Sequence, residues 1–275
     1  MNTKTIIYDD NCPLCAAYTS AFVKIGLLDN DGRKSFSNIP DDLLNKIDLN
    51  KSMDEIPLID TATGEVWYGV DALLEILQQK FPLIKSIGNI PWIKWLLKKS
   101  YKLISYNRRI IVATNPKGEG INCTPSCNIP YRVFFMFIFL LFNTLMLFPI
   151  QHFVLSKTFL NITNIFHLQA AHLILVLLNI IIAIQLHKRN GIEYLGQINM
   201  IALSVILLFI PLLLINKYLE YNLTSFNNFY LGGLTIFIVQ EYIRRMCFIN
   251  FFKQYPVIIG INIISVSSLI TYFIV

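Results

Sequence analysis

The sequence predicts an α/β domain over residues 1–112, followed by an all-α membrane region of about five helices over residues 131–275. Strand and helix patterns alternate in the first 80 residues, and long apolar runs fill the second half. Residues 1–130 hold 15 Lys/Arg and 14 Asp/Glu, whereas residues 131–275 hold eight and three. A mean hydropathy of +0.54 is too high for a wholly soluble chain and indicates a membrane portion.

The first strand is predicted over residues 4–8, where β-branched and aromatic residues precede a turn at Asp9. A helix is predicted to start at Pro13, because apolar residues then recur at helical spacing and proline suits a first helical position. The remaining predicted elements are a strand at 35–39, a helix at 41–47, strands at 56–60 and 65–68, and a helix at 71–80. With a hairpin at Thr63-Gly64, this β-α-β-α-β-β-α order is that of the thioredoxin fold.

Two cysteines, in Cys12-Pro13-Leu14-Cys15, fall at the start of the first predicted helix. Unpaired N–H groups and the positive end of the helix dipole lower the pKa of a cysteine there. Cys12 is therefore predicted to be the nucleophile in thiol-disulfide exchange. Cys15, one turn deeper, is predicted to resolve the mixed disulfide. A metal-ligating pair and a structurally incidental pair are the alternatives.

The segment from Tyr8 to Cys15 resembles the DxxCxxC signature of the DCC family of thiol-disulfide oxidoreductases. Residues 68–72 resemble the family's Gly-x-Asp-Ala segment, and residues 101–109 resemble its closing Tyr/Asn-Arg region. Asp10 stands where the family usually has glycine. The resemblance covers residues 4–112 and implies a thioredoxin-like fold with a redox-active dithiol.

Pro57 and Asp9 are further candidates for the site. Thioredoxin-like proteins place a cis proline before the third strand, facing the CxxC motif, and Ile56-Pro57 stands in that place. A cis bond there would leave the backbone of Ile56 free to pair with an extended substrate; a trans proline starting an edge strand is the alternative. Asp9 can take a proton from Cys15, or it serves only as a loop or capping residue.

The join, residues 113–130, contains the second cysteine pair, Cys123 and Cys127. Three roles are predicted as alternatives for these thiols. They relay electrons to or from Cys12 and Cys15, they join them as four ligands for zinc or an iron–sulfur cluster, or they are free thiols. Before the join, tryptophans at 92 and 95 interleave with lysines. This pattern predicts a helix that lies on cytoplasmic headgroups or packs on the redox domain.

Four apolar runs are long enough to cross a bilayer: residues 131–150, 168–186, 198–215 and 257–275. A fifth, at 226–243, is weaker because Gln240 and Glu241 interrupt it, although Arg244 can pair with Glu241. The intervening loops carry one, two, one and three Lys/Arg, which favours five spans and a cytoplasmic N-terminus. The N-terminus has no apolar core of a signal peptide. We therefore expect a multi-pass protein of the inner (plasma) membrane.

The function predicted is a membrane-anchored protein-disulfide reductase that uses Cys12 and Cys15. Its partners are a protein or small-molecule thiol/disulfide substrate and the lipid bilayer. No cofactor is predicted, and no nucleic-acid partner, because the basic excess lies beside the first apolar run. The alternatives are a metal-binding membrane protein using all four cysteines and a non-catalytic thioredoxin-like docking module.

Overall fold

The computed structural model describes residues 3–114, 128–219 and 223–274. The chain divides into two compact units, Met1–Arg132 and Val133–Val275. The first contains a small mixed sheet with helices, and the second is helical. This agrees with the predicted fold class, a thioredoxin-like domain plus a helical region.

A four-stranded sheet forms the centre of the first unit. Its strands are β1 (Lys4–Tyr8), β2 (Arg33–Ser35), β3 (Pro57–Asp60) and β4 (Val66–Tyr68). They lie in the order β2-β1-β3-β4, with β1 parallel to β2 and antiparallel to β3, and β3 antiparallel to β4. The predicted antiparallel hairpin between the last two strands is confirmed.

Among the described residues up to 114, six α-helices accompany this sheet: α1 (Pro13–Lys24), α2 (Asp41–Leu44), α3 (Leu49–Asp54), α4 (Gly69–Leu77), α5 (Pro82–Gly88) and α6 (Pro91–Ile111). Successive side chains of a strand point to opposite faces. Ile6 accordingly joins a buried cluster with Leu58 and Ile76, whereas Ile7 joins another with Phe36 and Ile59. The central strand β1 is therefore covered on both faces, and the loop after it begins the CxxC helix.

The second strand differs from its predicted position at 35–39. It ends at Ser35 and a 3-10 turn follows over Phe36–Asn38. Ser35 pairs with Tyr8, the last residue of β1, so no partner strand extends further. Phe36 then turns its ring into the core beside Ile7, because burial of the aromatic side chain outweighs an unpaired strand extension.

The second unit is built from α7 (Ile129–Phe153), α8 (Ile165–Gln185), α9 (Lys188–Tyr218), α10 (Thr224–Phe248), α11 (Phe251–Gln254) and α12 (Pro256–Ile274), the first of which starts before the unit boundary. In the described part of the chain, three stretches are long and apolar enough to cross a membrane: Ile129–Lys157, Ile165–Gln185 and Lys188–Tyr218. They contain the first and third predicted spans, and they contain the second, 168–186, except for its last residue. Segments 226–243 and 257–275 coincide with α10 and α12, and their crossing stays a prediction.

Glu241 lies on α10 at the position that weakened the predicted span. Its carboxylate accepts hydrogen bonds from Arg244 and from Arg245, each with a 2.6 Å contact. The predicted pairing of Arg244 with Glu241 is confirmed. Arg245 is buried and also donates to Gln197 of α9 at 2.7 Å, so Glu241 and Arg245 are paired within the unit.

Candidate active site

Cys12 caps the N-terminus of α1. After β1 the chain turns back, and the Cys12 amide donates to the Asp9 carbonyl at 3.1 Å. Cys12 has extended backbone angles, Pro13 follows at the first helical position, and the amide of Cys15 donates to the Cys12 sulfur at 3.5 Å. A side chain at this position accepts hydrogen bonds from otherwise unpaired helix N–H groups. The predicted placement of the dithiol at a helix N-terminus is confirmed.

The two thiols differ in acidity, although both are buried. A hydrogen bond from the Cys15 thiol, the Cys15 amide and the charge of Arg108 together lower the pKa of Cys12 to about 6, against the opposing effect of burial. The same thiol–thiol bond, together with burial, raises the pKa of Cys15 far above its ordinary value. At neutral pH the pair is therefore one thiolate, on Cys12, and one thiol, on Cys15.

Arg108 of α6 connects the dithiol to the loop before it. Its Nη1 lies 3.9 Å from the Cys15 sulfur, and its Nη2 lies 3.5 Å from the carboxylate of Asp9. Nη2 also donates to the carbonyl of Met53 at 3.0 Å. The guanidinium is thus a buried positive charge between the two groups predicted to exchange a proton.

Asp9 follows β1 and is buried beside the cysteines. Its carboxylate accepts from the amide of Asn11 at 3.0 Å. Burial raises the pKa of Asp9, and the charge of Arg108 and the Asn11 amide offset this only in part. A carboxyl group in this environment can hold a proton at a higher pH than an exposed aspartate.

Comparison with known proteins agrees with this geometry. Residues 6–112 match the sequence model of the DCC1-like thiol-disulfide oxidoreductases. Over these residues the N-terminal unit resembles a DCC1-like domain. The resemblance derived from the CxxC segment is thereby confirmed. Neither a curated protein nor a solved structure matches the chain.

Helix α6 of the DCC1-like domain packs on the segment that precedes β3. The Tyr101 hydroxyl accepts from the amide of Ile56 at 2.9 Å, and the Ser105 hydroxyl donates to the carbonyl of Asp54. Gly69 allows the close approach of the Tyr101 ring: its φ is +56°, and a Cβ there would lie 3.3 Å from the ring. The predicted packing of this helix on the domain is observed, and its predicted contact with headgroups stays a prediction.

The predicted cis bond at Ile56-Pro57 is wrong. All peptide bonds among the described residues are trans. The predicted free backbone at Ile56 is also absent, because its amide donates to Tyr101 and its carbonyl accepts from Gly69 at 2.9 Å. With both polar groups satisfied, the chain enters β3 extended through Pro57, which pairs in register with Tyr68. A role for Pro57 at the dithiol stays a prediction.

An apolar cavity of about 500 Å³ adjoins Cys15. Side chains of α1, α4 and α6 line it, including Tyr18, Leu74 and Ile104, and Arg108 reaches it as well. Burial raises the pKa of Tyr18 well above its usual value. Such surroundings favour neutral groups and therefore keep Cys15 protonated until it reacts.

Arg108, Tyr101 and Ser105 are the site residues that sequence reasoning missed. All three lie in the stretch that resembles the family's Tyr/Asn-Arg region, and their spacing of four and three residues places them on one helix face. That spacing is the feature of the sequence from which these three residues could have been predicted.

Cys123 and Cys127, predicted to act as a relay, as ligands or as free thiols, lie outside the described residues. Within the described ranges no three His, Cys, Asp or Glu side chains group around a metal position.

Proposed function

We propose that this chain is a membrane-anchored thiol-disulfide oxidoreductase of the protein-disulfide reductase type. One observation carries the proposal: the two cysteines of a DCC1-like domain meet at the start of α1 with opposite pKa shifts. This asymmetry provides a nucleophilic thiolate and a protonated resolving thiol in the resting dithiol. The three apolar helices support the membrane anchor.

The reaction oxidises the dithiol and reduces one substrate disulfide. The Cys12 thiolate attacks a substrate sulfur, the substrate S–S bond breaks, and the leaving thiolate takes a proton from solvent. Cys15 then loses its proton and attacks the Cys12 sulfur, which forms the Cys12–Cys15 disulfide and expels the second substrate sulfur as a thiolate, which takes a proton from solvent. Two electrons pass from the dithiol to the substrate.

Asp9 and Arg108 act in the second step. Once Cys12 is bonded to substrate, Cys15 has lost the thiolate partner that raised its pKa. Arg108, 3.9 Å from the Cys15 sulfur, stabilises the emerging thiolate, and Asp9, paired with the same guanidinium, accepts the proton. Arg108 is in this scheme a positioning and electrostatic residue rather than a nucleophile.

The membrane arrangement belongs to the same proposal. We infer five spans, with the DCC1-like domain on the cytoplasmic side of an inner (plasma) membrane. The alternation of Lys/Arg among the loops supports this orientation. The physiological substrate is a protein or small-molecule disulfide, and Cys123 and Cys127 are candidate relay thiols.

Insulin-disulfide reduction by the purified full chain in detergent tests the redox assignment. Cys12→Ser is expected to abolish turnover, and Cys15→Ser is expected to trap a mixed disulfide on Cys12. Cys247→Ser is the matched control, because Cys247 is an exposed free thiol of the second unit. Turnover retained in Cys12→Ser and lost in the control would contradict the assignment.

A further inference from the structure

The outer surface of α5 and α6 exposes large apolar side chains that the first unit does not cover. We define the tryptophan face as Leu83, Ile87, Trp92, Trp95 and Leu96. The exposed fractions of Leu83, Trp92 and Trp95 are 75%, 68% and 62%. Several large exposed apolar side chains on two consecutive helices of a domain with its own buried core indicate an interaction site.

The opposite face of α6 contacts the first unit itself. Tyr101 and Ser105 bind the segment before β3, and Arg108 reaches the dithiol. Trp92, Trp95 and Lys99 follow one another at spacings of three and four residues and so share the other side of the helix. The tryptophan face is therefore not needed for the packing of α6 on its own domain.

The charge around the tryptophan face is positive. From residue 81 to residue 114 the sequence has no Asp or Glu. It has seven basic residues there: Lys85, Lys94, Lys98, Lys99, Lys102, Arg108 and Arg109. Of these, Arg108 lies at the dithiol, and Lys85 and Lys102 pair with Glu75 and Glu55. Lys94 and Lys98 share a single carboxylate, that of Asp71, with contacts of 2.7 and 3.1 Å. The Lys99 ammonium lies 6.0 Å from the ring centre of Trp95, so a positive charge accompanies the exposed indoles.

We infer that the tryptophan face docks on the surface of a bilayer containing anionic lipid. Indole rings favour the headgroup level, where the ring is half desolvated and its N–H stays hydrated, and lysines beside them attract lipid phosphates. The chain's own apolar helices place it at such a surface. An anionic lipid layer complements both the indoles and the lysines of this face.

This docking is independent of the redox chemistry, although it involves the helix that carries Arg108. Lipid contact on one side of α6 leaves Tyr101, Ser105 and Arg108 in place on the other. Lipid docking can therefore be tested separately from the proposed reductase activity, which insulin reduction measures.

Tryptophan quenching by brominated lipid tests the inference on the full chain in lipid nanodiscs. The chain has three tryptophans, and Trp67 lies on β4. Trp67→Phe leaves only the two indoles of the tryptophan face, and the double variant Trp92→Phe/Trp95→Phe leaves only Trp67. With bromine near the headgroup end of the acyl chains and phosphatidylglycerol present, we expect emission of Trp67→Phe to fall roughly twofold more than that of the double variant.

Lys99→Glu, added to Trp67→Phe, is expected to weaken the quenching, and so is replacement of phosphatidylglycerol by phosphatidylcholine. Lys24→Glu, an exposed charge reversal at the end of α1, is the matched control and is expected to change nothing. Equal quenching of the two tryptophan variants would overturn the inference. Blue-shifted but unquenched emission from Trp92 and Trp95 would also overturn it, because a protein surface would then cover them.

Discussion

Glu75 and Asp9 are buried carboxylates of the first unit, and each contacts a cation. Their pKa values nevertheless shift in opposite directions. Glu75 of α4 accepts one short bond from each of two lysines, Lys4 at 2.5 Å and Lys85 at 2.6 Å. Burial alone would raise the pKa of Glu75, but these bonds outweigh it and the pKa is lowered. Asp9 has one cation, Arg108, at 3.5 Å, and its pKa is raised.

The difference lies in how the cation is shared. The two ammonium groups at Glu75 both point at its carboxylate, so the negative charge is fully compensated. The Arg108 guanidinium divides its donors among Asp9, Cys15 and the carbonyl of Met53. The first arrangement holds a charge in place, whereas the second leaves a carboxyl group able to change its protonation during a reaction.

The largest effect is expected for Arg108→Met, which removes the shared cation. Breaking a buried pair leaves Asp9 without a counter-charge, which we expect to cost about 3 kcal/mol of unfolding free energy. The pKa of Cys12 rises because Arg108 helps to lower it. Insulin reduction at pH 7 is expected to fall by more than about tenfold.

Two further variants separate the loss of stability from the loss of turnover: Arg108→Lys and the double variant Arg108→Met/Asp9→Asn. Lysine keeps the charge without the planar fork and is expected to restore part of the Cys12 pKa, measured by the pH dependence of alkylation. The double variant is expected to regain stability without regaining turnover. Full turnover in Arg108→Met would show that Arg108 has no role in the reaction.

The second effect in size is expected for Glu75→Gln, which breaks the compensated cluster. We expect unfolding free energy to drop by about 2 kcal/mol, because Lys4 and Lys85 lose their buried partner. Urea unfolding followed by Trp67 measures this in a Trp92→Phe/Trp95→Phe background, since Lys4 lies 5.5 Å from the Trp67 ring. Turnover per folded molecule is expected to stay unchanged.

The difference in unfolding free energy between the wild type and Glu75→Gln depends on pH, and its direction follows from the lowered pKa of Glu75. The folded-state pKa of Glu75 lies below its ordinary value of 4.5. Its contribution is therefore complete above pH 4.5 and is lost as pH falls through the folded-state pKa. Unfolding curves of the wild type and Glu75→Gln should converge in acid; a gap that stays constant there would contradict the ion-pair account.

The sequence was sufficient to predict the fold of the first unit because local signals and packing agree there. β1 alternates its isoleucines between two cores, and Pro13 starts α1 where it was predicted. The short β2 was misplaced, since its end depends on where β1 stops pairing, which is a tertiary fact. Propensity alone does not contain that information.

The candidate site was predictable where it is local and was missed where it is assembled across the chain. Cys12 and Cys15 are three residues apart, so helix geometry alone brings them together. Arg108 is 93 residues from Cys15, and only the packing of α6 brings them into contact. The predicted free amide of Ile56 was wrong for the same reason, because Tyr101 from α6 occupies it.

A smaller effect is expected for Asp9→Asn, which keeps the shape of the side chain and removes its charge. Because the folded-state pKa of Asp9 is raised, its ionised form opposes folding above that pKa, so the variant should be as stable as the wild type or slightly more so at pH 7. Turnover is expected to fall about tenfold through slower resolution. Single-turnover mixing with a disulfide substrate should show a normal attack by Cys12 followed by a slow second phase.

The smallest effect is expected in the acidity of Cys12 in this same variant. In the wild type, iodoacetamide should alkylate Cys12 with a midpoint near pH 6. The charge of Asp9 raises the pKa of Cys12, but it is the weakest of the causes and opposes a hydrogen bond from Cys15. Asp9→Asn should thus move the midpoint slightly downward while turnover falls, which separates proton transfer at Cys15 from thiolate formation at Cys12. An upward shift of the midpoint would mean that Asp9 supports the Cys12 thiolate, and the contrast with Glu75 would then no longer hold.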